Sequence, residues 1–240
     1  MAEPRLNKTK VAGVTILLGI VAFLLYQLGL FLMVIWYNFQ NPGGSAFMSA
    51  ALRELRADNP DARIAYQWVP YEQIGASLKR AVVASEDAKF FEHDGVEWDA
   101  IRKAWEYNRR QAREGGTRRR GGSTITQQLA KNLFLSESRS YLRKGQELIL
   151  TYMIEAVMDK QRILELYLNV AQWGKGTFGA QAAARRYFKT DARRLSARQA
   201  AQLAAMLPNP VFYEARRNTP YLNSRTNTIQ QRMRHIQLPD

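Results

Sequence analysis

A chain of 240 residues is long enough for one sizeable core and an added segment. It carries 35 Lys and Arg against 21 Asp and Glu, a formal charge of +14, and it has no cysteine. Disulfides and cysteine-ligated metal sites are therefore excluded, and the basic balance points to nucleic acid, anionic lipid or phosphate as the partner chemistry.

From Val11 to Leu52 no side chain is charged. The apolar stretch Val11 to Tyr37 reaches about 40 Å as a helix, more than the ~30 Å of bilayer hydrocarbon. Trp36 and Tyr37 stand where an aromatic belt anchors one interface, and Arg5, Lys8 and Lys10 flank the opposite end. The expectation is a cytoplasmic N-terminus over 1–10, one transmembrane helix over 11–37, and the remainder of the chain outside. A cleaved signal peptide would have a shorter apolar run followed closely by a small-x-small site, and Gly43-Gly44-Ser45-Ala46 lies too far along. Export also sets nucleic acid aside and leaves anionic head groups and pyrophosphates.

Asn41-Pro42-Gly43-Gly44-Ser45 reads as a turn, and residues 38–59 as a linker or membrane-proximal segment. A domain over 60–240 follows, in which helical periodicity dominates. Helices are predicted over 71–92, 97–112, 124–134, 140–158, 161–170, 179–187, 196–207 and 219–236. Ser196 with Gln199 makes a capping box, and Pro220 after Thr219 suits a first helical position. Alternation over 63–69 predicts one short edge strand, so the fold class is mainly α. The stretch 102–120 holds Arg102, Lys103, Arg109, Arg110, Arg113 and the triple Arg118-Arg119-Arg120. It reads either as a solvated loop or as a basic flap for anionic lipid or a phosphorylated substrate.

Two runs could carry chemistry. The first is Glu86-Asp87-Ala88-Lys89-Phe90-Phe91-Glu92-His93-Asp94-Gly95. Leu78, Ala81, Val82 and Ser85 give a helix a buried stripe, and Glu86, Phe90 and His93 share one face if that helix continues. A carboxylate beside apolar walls can take a proton from a hydroxyl. Asp87 points about 100° away, free to hold an arginine or cap a backbone group. The second run is Gly121-Gly122-Ser123-Thr124-Ile125-Thr126-Gln127-Gln128-Leu129-Ala130-Lys131-Asn132. Thr124 with Gln127 fits a capping box, and a helix start offers N–H groups and positive dipole to an anion. Thr124, Gln128 and Lys131 follow at i, i+4 and i+7. The alternative is an ordinary capped helix with a surface lysine. Arg143 and Glu147 can pair at i, i+4. The run from Lys160 to Asn169 reads as packing, with Asn169 placed to satisfy buried backbone groups.

These runs, in this order, closely resemble the peptidoglycan glycosyltransferase family (family 51), over residues 60–235. Glu-Asp-x-x-Phe-x-x-His-x-Gly, Gly-x-Ser-Thr-Ile-Thr-Gln-Gln-Leu-x-Lys-Asn, Arg-Lys-x-x-Glu and Ile-Leu-Glu-x-Tyr-Leu-Asn are all present. Ala171-Gln172-Trp173-Gly174 and Phe178-Gly179-Ala180 resemble the monofunctional, single-domain branch. The resemblance implies a lysozyme-like domain with a larger head and a small membrane-proximal jaw. It implies polymerisation of lipid II onto a growing glycan chain at a bacterial inner membrane, with the catalytic domain periplasmic. Divisome or elongasome proteins would be its partners. Carried over residue by residue, Glu86 is the general base and Glu147 the second carboxylate. Lys131, Arg143, Thr124, Gln128, Ser123 and Asn132 meet the pyrophosphate, and Asp87, Phe90 and His93 shape the cleft. No cofactor is obligatory, although Mg²⁺ or Mn²⁺ on the pyrophosphate could meet Glu147. Two rival readings stay open: a lytic enzyme on the same scaffold, and a membrane-tethered polyanion binder.

Overall fold

The computed structural model describes residues 8–117, 121–136, 138 and 140–239. Arg5 and the triple arginine Arg118-Arg119-Arg120 lie outside these. The chain divides into two compact units, Met1–Gln40 and Asn41–Asp240. The first is a single helix, α1 (Lys8–Phe39), of 32 residues. Within it Thr9–Phe39 is long and apolar enough to cross a membrane, with a mean hydropathy of 2.4. The helix extends past the expected 11–37 because nothing breaks it before Gln40.

The second unit is mainly helical. It opens with α2 (Ala46–Asp58), in the segment expected to be a linker. Phe47, Met48, Ala51, Leu52 and Leu55 give that segment a helical stripe, and the Ser45 hydroxyl caps it by accepting from Met48 N. Strand β1 (Ala65–Tyr66) and a 3₁₀ turn over Tyr71–Gln73 lead into α3 (Ala76–Glu86). Then come α4 (Trp98–Arg113), α5 (Ile125–Phe134), α6 (Tyr141–Val157) and α7 (Lys160–Val170). A hairpin, β2 (Gln172–Gly174) and β3 (Thr177–Phe178), precedes α8 (Ala180–Phe188), α9 (Ala197–Met206), α10 (Pro210–Glu214) and α11 (Pro220–Arg232).

Two helical groups make the core. Helix α9 packs on both α3 and α11, while α5 packs on α6, α7 and α2. Trp173, Tyr167, Phe90 and Phe178 are the largest fully buried side chains. The Trp173 indole donates to Leu203 O (3.1 Å), so its polar edge enters the core already paired. The expected strand at 63–69 shrinks to two residues at one edge of a three-stranded sheet ordered β1-β3-β2. It pairs parallel to β3, Ala65 with Thr177 and Tyr66 with Phe178.

Asn169 ties that sheet region to α7. Its amide accepts from Val69 N (2.9 Å) and donates to Val69 O (2.9 Å), as its predicted backbone role requires. Gly179 passes directly over this residue at φ +82°. A Cβ there would stand 2.7 Å from Asn169 O, a backbone atom that cannot turn aside. Gly179→Ala should therefore cost about 2 kcal/mol or more, from strain plus displacement. The check is a thermal melt, in which the variant is expected to unfold several degrees below wild type.

Candidate active site

Helix α3 ends at Glu86, not at the predicted residue 92. Asp87 leaves the helix at φ −163°, and the chain turns tightly, with Phe90 N donating to Asp87 O and Glu92 N to Lys89 O. The reason is tertiary. The Asp87 carboxylate is buried and has two partners from beyond the helix. Its Oδ2 accepts from Ile125 N (3.0 Å), the first residue of α5, and its Oδ1 pairs with His93 Nε2 (2.9 Å). His93 Nδ1 accepts from Gly95 N (3.1 Å). A nitrogen that accepts carries no proton, so Nε2 bears the hydrogen and donates to Asp87. Gly95 makes this turn at φ +85°, and its carbonyl accepts from the Thr124 hydroxyl (2.6 Å). One knot of five residues thus fastens the end of α3 to the start of α5.

Glu86 projects from this knot and its side chain is 10% exposed. Its Oε1 accepts from the Ser85 hydroxyl (2.9 Å) and its Oε2 from Gln128 Nε2 (3.1 Å). Arg225 of α11 lies 3.6 Å from Oε1 and donates to Ser85 Oγ (3.0 Å). Behind Gln128, the Tyr167 hydroxyl donates to its Oε1 (2.9 Å). Burial pushes the Tyr167 phenol well above its ordinary range, with the Glu86 and Asp87 charges adding to the effect. That phenol stays a donor, and it turns the Gln128 amide so that N–H faces Glu86. The carboxylate is fixed by donors from α3 and α5 and by an ion pair from α11.

Gln128 also opens onto a cleft of about 140 Å³ lined by Lys131, Asn132, Tyr167, Phe47 and Pro210, among others. Lys131 stands over the Phe47 ring, 5.3 Å from its centroid. On the neighbouring α6, Glu147 is 2% exposed and binds Arg143 Nη1 (2.7 Å) and Lys144. Lys144 also reaches the exposed Ser123 hydroxyl (3.3 Å). The Arg143 Nε is buried with no hydrogen-bond partner among the described residues. A divalent ion does not fit here as a resident. Both Glu147 oxygens are held by cations, and among the described residues no three or more His, Cys, Asp or Glu gather to supply the oxygens such an ion takes.

With this geometry in view, known proteins supply the remaining constraint. The family model described as Transglycosylase matches residues 54–234. The chain belongs to the transglycosylase family. It is 64% identical over 235 residues to a biosynthetic peptidoglycan transglycosylase of Bordetella pertussis, covering 98% of this chain and 97% of that one. Proteins of the same name from Herminiimonas arsenicoxydans and Chromobacterium violaceum are 54% and 50% identical, covering 93% and 92% of this chain and 95% of each relative.

In this transglycosylase the predicted site residues divide into two groups. Gln128, Lys131 and Asn132 line one cleft, and Glu86 is bonded to Gln128 beside it. Arg143 and Glu147 pair as their spacing requires. Thr124 is placed differently from its expected role. The capping box forms, but Asp87 takes Ile125 N and the Thr124 hydroxyl takes Gln127 N (3.2 Å), so these N–H groups at the helix start already have carboxylate and hydroxyl partners. Asp87, Phe90 and His93 support the cleft from behind; Phe90 is fully buried under the Lys160 ammonium. The residues that sequence reading missed are Ser85, Lys144, Tyr167 and Arg225. Tyr167 sits in a motif read as packing. Arg225 lies 139 positions from Glu86, and nothing local marks it.

Asp87 has two donors on its two oxygens, so an amide cannot replace it. Asp87→Asn presents N–H to one of them, and the His93 ring cannot flip its tautomer without losing Gly95 N. Both Asp87→Asn and Asp87→Ala should therefore destabilise the protein by about 2–3 kcal/mol, read by denaturant unfolding. Recovery of wild-type stability by the asparagine variant would contradict the tautomer assignment.

Proposed function

We propose that this transglycosylase is a peptidoglycan glycosyltransferase of cell-wall synthesis, with lipid II as both donor and acceptor and Glu86 as general base. The observation that carries this reading is the Glu86 carboxylate, held by Ser85, Gln128 and Arg225 beside a cleft whose wall holds Lys131. The names of the relatives agree with it.

In this mechanism the acceptor's N-acetylglucosamine places its 4-hydroxyl at Glu86. The carboxylate takes the proton as the oxygen attacks C1 of the donor's N-acetylmuramic acid. The C1–O bond to pyrophosphate breaks, the configuration inverts from α to β, and undecaprenyl pyrophosphate leaves. Charge grows on that leaving group in the transition state, where preorganised cations act most strongly. Lys131 and Arg143 would meet it, while Glu147 holds the Arg143 and Lys144 side chains in place. Ser85, Gln128 and Arg225 fix the base so that no reorganisation precedes proton transfer. No step here runs through a metal.

The substrate is a lipid, so the site belongs at a bilayer surface. Helix α1 would anchor the chain in a bacterial inner membrane, N-terminus inside and catalytic unit periplasmic. Helix α4 suits the same surface. Trp98 and Trp105 are 61% and 59% exposed, Arg109 stacks over Trp105, and Arg102, Lys103 and Arg110 share the helix. Aromatic rings with cations favour an anionic head-group layer. In liposomes of the full chain containing brominated lipid, replacing Trp98 and Trp105 with Phe should remove part of the fluorescence quenching. Unchanged quenching would exclude α4 from the interface.

The direct test gives labelled lipid II to the purified protein, wild type beside Glu86→Gln. Wild type should release undecaprenyl pyrophosphate and build glycan. The folded variant should lose about 10²-fold or more of the rate, the range general bases contribute. A folded wild type that leaves lipid II intact would refute the reading, and so would a Glu86→Gln variant of full activity.

A further inference from the structure

The cleft beside Gln128 reaches α10. Pro210, which lines it beside Gln128 and Lys131, is the first residue of α10. Along α10 stands Tyr213, whose ring lies parallel to Tyr221 of α11, with centroids 6.3 Å apart and planes inclined by 13°. Tyr221 and Arg225 are four residues apart on α11 and so share a face one turn apart. Arg225 is the residue that reaches Ser85 and Glu86. An aromatic shelf therefore stands one helical turn from the ion partner of the base.

Tyr221 is 62% exposed, so its ring is open to a ligand. Between the two tyrosines in sequence, residues 214–220 line an open depression of about 570 Å³. This is well within the size range of small-molecule sites. Its polar groups are held in place from outside. Arg216 stacks 4.4 Å over Phe212 and donates to Phe212 O (3.4 Å). Arg217 stacks 5.1 Å over Tyr187 and donates to Tyr187 O (3.4 Å), while its own carbonyl accepts from Gln202. Glu214, which also lines the depression, binds Lys175 N (2.8 Å) and Arg186, so its charge is already paired.

Flat aromatic faces beside fixed hydrogen-bond donors suit a saccharide. In β-1,4-linked amino sugars the ring substituents are equatorial, which leaves axial C–H groups on both faces to lie on an aromatic ring. Hydroxyl, acetamido and carboxylate groups at the ring edge would meet the guanidinium groups. We propose that Tyr213, Tyr221 and the depression over 214–220 form a saccharide-binding subsite for the glycan strand, next to the general base. The proposal rests on the glycan-polymerising reading given above. It assigns the sugar part of the substrate to α10 and α11 and the pyrophosphate part to α5 and α6. Preformed stacking and tethered arginines lower the ordering cost of binding.

The test uses the full chain in detergent and a lipid-free tetrasaccharide of alternating N-acetylglucosamine and N-acetylmuramic acid, titrated by calorimetry. Tyr221→Ala should raise Kd about tenfold and Tyr221→Phe should stay within about twofold of wild type, because the ring and not the hydroxyl makes the stack. The exposed position leaves folding intact, checked by a melt. Equal Kd for wild type and Tyr221→Ala, or no saturable binding by folded wild type, overturns the subsite. The probe has no pyrophosphate, so binding is read without turnover. A wild type that binds it, with the expected Tyr221 dependence, yet fails to polymerise lipid II keeps the subsite and overturns the reaction. One that polymerises lipid II but does not distinguish Tyr221→Ala in binding overturns the subsite alone.

Discussion

The Asp87 carboxylate is the fixed point of this site. It is buried, it receives Ile125 N on one oxygen and the His93 ring on the other, and it lies immediately after Glu86. A charge held at a helix N-terminus is favoured by the dipole and by the orphan N–H groups there. Here that interaction also sets a distance between two helices. With α5 fastened at its first residue, Gln128 falls one turn along, at the Glu86 carboxylate, and Lys131 follows one further turn into the cleft. The order of residues within α5 then decides what faces the base.

The surplus of positive charge is sorted rather than spread. Near the cleft, cations are paired with buried or half-buried acids: Arg143 and Lys144 with Glu147, Lys160 with Glu155, Arg225 with Glu86. Such pairs keep long side chains in one geometry at little net gain in stability. Away from the cleft, α4 carries its cations in the open, with Arg102 paired to an equally exposed Asp99 and Arg109 over Trp105, beside a second exposed tryptophan, Trp98. Cations held by buried acids suit a site where geometry matters, and solvent-exposed ones suit a surface met in many orientations.

Much of this was legible in the sequence, for identifiable reasons. The capping boxes at Thr124 and Ser196 depend on residues three apart and form as expected. The Arg143–Glu147 pair and the backbone role of Asn169 follow from helical spacing and from an amide's two-sided chemistry. The apolar run of α1 needs no partner to be seen. What failed did so where distant residues compete with local preference. Phe90 and Phe91 continue a helical pattern, yet the chain turns at Asp87 because Ile125 and His93 claim its carboxylate. Helix α2 was obscured by the Gly-Gly-Ser turn before it, whose serine is in fact the cap. Arg225 could not be found by spacing at all, since its meaning arises only when α11 packs against α3.

Helix α2 bears on where this domain begins. The family match starts at residue 54, partway along that helix. Yet Phe47 lies under Lys131 and lines the cleft, Met48 is buried, and Ser45 supplies the cap. A fragment cut at the boundary of sequence similarity would keep every residue of the recognised motifs and lose one wall of the cavity they surround. The compact unit starts at Asn41, earlier than the family match, and a fragment meant to keep this cavity has to retain that stretch.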